Sequence, residues 1–73
     1  MSIADEVRGL LADQLQLPAD EAAPLELASL ELVMLAEELE AAFGFVVAAR
    51  ELIPANFGSM ARLIAFVERR LAQ

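Results

Sequence analysis

Apolar residues recur at helical spacing in three stretches of this 73-residue chain. The first runs through Ile3, Val7, Leu10, Leu11 and Leu15 and predicts a helix from Ile3 to Leu15. Ser2, with Asp5 three residues later, has the spacing of a capping box at its start. The second stretch carries Leu32, Leu35, Ala36, Leu39 and Phe43 on one stripe, which predicts a helix that turns this face to the core. Ser29 opens that helix, and Gly44 stands where a C-terminal glycine cap is expected. The third stretch, Met60, Leu63, Ile64, Val67 and Leu71, follows Ser59 as its N-cap.

Between these stretches the period lapses. From Gln16 to Ala28, Pro18 and Pro24 interrupt, and Leu17, Leu25 and Leu27 are scattered among acids. A loop of this length with apolar anchors is expected to fold back over the core. Phe45, Val46 and Val47 have no second strand to pair with, so they are read as a buried connection. Arg50 to Ile53 is read as a short turn of helix before Pro54. The predicted fold is therefore all-α, a small bundle of three to four helices forming one domain over residues 1–73.

Composition narrows the function classes. A chain of this length supports one modest core, and with no cysteine and no histidine it lacks disulfides, thiolate metal sites and the commonest general base. The formal net charge of −7 argues against nucleic acid, which favours clustered Lys and Arg. It favours basic protein partners instead. All eight acids between Gly9 and Ala49 are unopposed by any base, so the acidity belongs to the middle of the chain. The longest stretches without a charge, Leu52 to Ala61 and Ala41 to Ala49, are ten and nine residues, far short of a membrane span. Asp5 and Glu6 occupy the place of a signal peptide's basic segment, so a cytoplasmic protein is expected. There is no calcium-hand loop, and no metal site is expected.

Ser2 and Ser59 are explained as helix caps. Ser29 differs: it follows the long loop, and the acidic helix with its second apolar set, Leu30, Val33 and Met34, begins there. The stretch Leu27-Ala28-Ser29-Leu30-Glu31-Leu32-Val33-Met34-Leu35, continuing through Glu37-Glu38-Leu39-Glu40 to Phe43-Gly44-Phe45, resembles the central signature of acyl carrier proteins. Serine and phenylalanine are fourteen residues apart, as in that family, and Val33, Leu35, Leu39 and Phe43 fall on its apolar positions. Asn56-Phe57 and the last helix resemble discrete carriers of polyketide pathways.

The resemblance implies that Ser29 accepts 4′-phosphopantetheine from coenzyme A, by the action of a phosphopantetheinyl transferase. It implies a monomeric, non-catalytic carrier that tethers an acyl or extender unit as a thioester. Its partners would be an acyltransferase, a ketosynthase or other acyl-processing enzymes with basic docking surfaces, with no nucleic acid or membrane involved. The pathway implied is polyketide or related secondary-metabolite synthesis, with fatty acid synthesis as the primary-metabolic counterpart. The docking face would comprise Leu30, Glu31, Val33, Met34, Glu37 and Glu38, an apolar centre edged with negative charge that speeds encounter and sets orientation.

The chain departs from the family at Ala28, where aspartate almost always precedes the serine. Met34 and Glu37 also differ, standing where many carriers have glutamate and an apolar residue respectively. Ala28 favours a rival reading, a carrier-like interaction module that is not phosphopantetheinylated. An autonomous enzyme is disfavoured, since no histidine is present to activate Ser29.

Overall fold

The computed structural model describes residues 2–15 and 22–72, except the side chains of residues 14 and 15. Among the described residues it is an all-α bundle of four helices: α1 (Ile3–Leu15), α2 (Ser29–Phe43), α3 (Pro54–Phe57) and α4 (Met60–Ala72). A 3₁₀ turn, Ala49–Glu51, lies between α2 and α3. Helix α4 packs against both α1 and α3, and α1 packs against α2. Among the described residues no helix is long and apolar enough to cross a membrane.

The long helices begin and end for local reasons. At α1 the Ser2 hydroxyl accepts the Asp5 backbone N–H at 3.1 Å, which satisfies one of the unpaired donors of the first turn. Gly44 closes α2 with φ 79°, and its N–H donates to the Glu40 carbonyl. That left-handed conformation is costly for a residue with a Cβ. The Ser59 hydroxyl accepts the Arg62 N–H at 3.2 Å and caps α4. All three helical stretches read from the apolar period are present with the expected bounds.

The stripes meet in one core. Val7 and Leu11 of α1, Leu35 and Leu39 of α2, and Leu63 and Val67 of α4 are fully buried, each worth about 1.5–3 kcal/mol relative to exposure. Leu25 and Leu27 are half-buried against this core, so the segment before α2 does fold back over it. Leu25 donates its N–H to the Gly58 carbonyl at 2.8 Å, and Pro24 pairs with Ser59, which ties the segment to the start of α4. Leu17, Pro18 and the side chain of Leu15 lie outside the described residues.

Four details differ from the expectation. Val46 is 73% exposed rather than part of a buried connection; Phe45 and Val47 on either side turn inward. In an extended segment neighbouring side chains point to opposite sides, so only two of the three can face the core. The short turn before Pro54 lies at Ala49–Glu51 rather than Arg50 to Ile53, and a further helical turn, α3, follows at Pro54–Phe57. Pro54 takes the first helical position, where its fixed φ suits the helix and its missing N–H is not needed. Leu71 is exposed at the C-terminal end of its stripe, while Phe66, off that stripe, is buried and packs on Phe57 with ring centroids 5.4 Å apart.

Candidate functional site

Ser29 is exposed at the first position of α2. The residue that flanks the helix as its cap is Ala28, in extended conformation with φ −68° and ψ 159°. Its methyl group offers no acceptor to the first turn. Half of a capping box remains: Glu31 reaches back, and its carboxylate accepts the Ala28 N–H at 2.8 Å. The first carbonyl-bonded donor of the helix is Leu32 N–H, to Ala28. The N–H groups of Ser29, Leu30 and Glu31 therefore precede the intrahelical ladder and give this end its positive character.

The six docking residues expected on α2 fall on its outward surface, though not equally. Leu30, Val33 and Met34 are 70%, 46% and 47% exposed, and Glu37 is exposed beside them. Spaced at i, i+3, i+4 and i+7, these four share one face. Glu31 and Glu38 are half-buried, and Glu31 is engaged by Ala28. Glu40 serves the fold: its carboxylate accepts the Val47 N–H at 2.7 Å and fixes the segment leaving α2. No basic residue lies in the last turn of α2, so the whole exposed helix is acidic.

Beside the start of α2 lies a cleft of about 150 Å³ that the apolar pattern did not reveal. Leu25 and Leu27 wall it from the folded-back segment, and Leu32 from α2. Leu52 and Ile53 contribute from the stretch after the 3₁₀ turn, with Pro54, Phe57 and Gly58 from α3 and its end. No lining side chain is polar. Leu27 and Leu32 stand two residues before and three residues after Ser29, so the cleft adjoins the exposed hydroxyl.

Across the molecule Arg70 joins three elements that sequence reasoning placed apart. Its guanidinium donates to both Glu51 carboxylate oxygens, at 2.7 and 2.9 Å, and to the Val46 carbonyl at 2.9 Å, and it lies 5.0 Å from the centre of the Phe45 ring. Glu51 also accepts the Ala48 N–H at 2.9 Å. That backbone donor is the largest influence holding the Glu51 carboxyl below its ordinary pKa; burial pushes it upward, and the charges of Arg70 and Arg50 lower it further. In the sequence this clip shows only as two arginines, Arg69 and Arg70, in the last turn of α4, where cations also favour the helix dipole. Among the described residues, no group of three or more acidic side chains is placed to hold a metal ion.

Comparison with known proteins finds no match among family models, curated proteins or solved structures.

Proposed function

We propose that this chain is an acyl carrier that takes 4′-phosphopantetheine on Ser29 and presents a thioester-bound acyl unit to partner enzymes. The observation that supports this most is the placement of an exposed serine hydroxyl at the positive end of α2, beside an apolar cleft. A phosphodiester on Ser29 would lie among the N–H groups that precede the helical ladder, where an anion is favoured. In the proposed modification the Ser29 oxygen bonds to the pantetheine-bearing phosphorus of coenzyme A, the phosphoanhydride bond breaks and adenosine 3′,5′-bisphosphate leaves, and the serine proton passes to a base on the transferase. When bound, the group supplies the thiol that carries the cargo.

The chain's own residues then bind and orient rather than react. Leu30, Val33 and Met34 offer an apolar contact, and Glu37 with Glu31 and Glu38 supplies the negative edge for a transferase, acyltransferase or ketosynthase with a basic surface. In this reading the protein is a cytoplasmic, monomeric and non-catalytic partner in polyketide or related secondary-metabolite synthesis; that pathway class rests on the sequence resemblance.

Intact mass after incubation with coenzyme A and a broad-specificity transferase tests the proposal. A gain of one phosphopantetheine that disappears in Ser29→Ala supports it. No gain under forcing conditions, for the wild-type chain and for Ala28→Asp alike, would replace it with the rival reading, an unmodified interaction module, which Ala28 favours.

A further inference from the structure

The composition leaves an oxidant few targets on this chain. Cysteine, histidine, tryptophan and tyrosine are all absent, and three methionines are the only sulfur-bearing side chains. Thioether sulfur is therefore the group of this chain most open to peroxide. The structure separates two of the three. Met60 is 4% exposed, in the core cluster with Leu63 and Val67, whereas Met34 is 47% exposed on α2. Met34 stands one turn from Leu30 and beside Val33, within the exposed apolar set of that helix. Leu35, Ala36 and Leu39 anchor the helix from its buried side. A chemical change at Met34 thus alters the outer face and leaves the core packing alone.

We propose that Met34 is a peroxide-sensitive modification site whose sulfoxide switches off the apolar centre of the α2 face. The switching rests on the docking role proposed above for that face. A lone pair of the Met34 sulfur takes one oxygen of hydrogen peroxide as the O–O bond breaks. Sulfur is oxidised by two electrons, and the other oxygen leaves with both protons as water. The product carries a polar S=O group where the side chain was apolar. A partner that covers Leu30 and Val33 must then strip water from that oxygen, which weakens docking roughly five- to 150-fold where no donor replaces the water. The negative charge of Glu37 is untouched, so long-range attraction persists while close contact fails. Reduction of the sulfoxide restores the thioether and makes the change reversible.

The test treats the full chain, before any loading, with hydrogen peroxide and follows each methionine by peptide mass against time. Met34 should convert about tenfold faster than Met60, in keeping with their exposures. Circular dichroism melts should coincide before and after treatment. Loading of Ser29 by the broad-specificity transferase should show a KM raised by about fivefold or more with kcat little changed, and methionine sulfoxide reductases should reverse the rise. Each variant is compared with itself, treated and untreated. Met60→Leu should respond as the wild type does, and Met34→Leu should not respond, which also sets aside any contribution of Met1. Conversion of Met60 as fast as Met34, an unchanged KM for the mapped sulfoxide, or the same rise in Met34→Leu would overturn the inference. Retention on a phenyl matrix reads the same patch without any loading: it should shorten on oxidation of the wild type and stay constant for Met34→Leu. Failure to load the untreated chain counts against the carrier proposal, and unchanged retention counts against the Met34 site.

Discussion

Arg70 and Glu51, nineteen residues apart in the chain, form a two-bond ion pair in which one Nη1 donates to both carboxylate oxygens at 2.7 and 2.9 Å. Both side chains are about four-fifths covered, and the pair fastens the last turn of α4 to the 3₁₀ turn. Nη2 extends the clip to the Val46 carbonyl at 2.9 Å, which ties down the connection that leaves α2. A planar guanidinium can serve the carboxylate, the carbonyl and the Phe45 ring together, and an ammonium cannot.

Arg70→Ala should therefore destabilise the chain by about 1–3 kcal/mol, and Arg70→Lys should recover only a small part of the loss. For a domain of this size each kcal/mol corresponds to roughly 4–8 °C in the unfolding midpoint, so circular dichroism melts distinguish the two variants. Equal stability of the lysine variant and the wild type would show that the fork geometry is irrelevant.

The same contact carries a pH dependence. Glu51 has its folded pKa lowered, first by the Ala48 N–H and, against burial, by Arg70. Its stabilising effect is full above the unfolded carboxyl value of about 4.3 and is lost as the pH falls through the lower folded value. Midpoints measured from pH 6 down to about pH 3 should fall less steeply for Glu51→Gln than for the wild type. Parallel profiles would remove Glu51 as a source of acid sensitivity.

Ala28 leaves α2 without a side-chain cap while Glu31 supplies the reciprocal half. Ala28→Asp should complete the capping box and raise stability by about 0.5–2 kcal/mol, with added benefit from a negative charge at the helix N-terminus. Denaturant unfolding measures this independently of any modification of Ser29. If phosphopantetheinylation of Ser29 also accelerates, position 28 limits the transferase as well as the helix.

Gly58 and Gly44 should fail as alanines for different reasons. A Cβ on Gly58 would overlap the Pro54 carbonyl oxygen, a backbone atom fixed by the Gly58 N–H at 2.9 Å. At Gly44 a Cβ meets open space, but φ is +79°. Gly44→Ala should cost about 1–2 kcal/mol through the left-handed conformation alone. Gly58→Ala should cost more, and should also disturb Leu25, whose N–H bonds to the Gly58 carbonyl. Amide exchange at Leu25 reports this second effect.

On α2, inward and outward leucines should separate folding from docking. Leu39→Ala, at a fully buried site, should cost about 2–5 kcal/mol. Leu30→Ala, at 70% exposure, should change stability by no more than about 0.5 kcal/mol while slowing acyl transfer by partner enzymes. Unchanged transfer for both Leu30→Ala and Met34→Ala would remove the docking role assigned to this face.

The bounds of α1, α2 and α4, their caps at Ser2, Gly44 and Ser59, and their inward stripes were legible from the amino-acid order, because each depends on neighbours within four residues. The exposed set Leu30, Val33 and Met34 was legible too, since a helix whose core stripe is already assigned must turn its second apolar set outward. Only the tertiary structure decided which of Phe45, Val46 and Val47 lies inside, that Phe66 joins the core off the main stripe, and that Arg70 reaches Glu51. It also made the cleft, whose walls come from α2 and from segments beginning at Leu25 and Leu52. A periodic pattern reports which side of its own helix is apolar. It carries no information about distant segments, and the volume left between α2, the folded-back strap and α3 depends on how those segments pack.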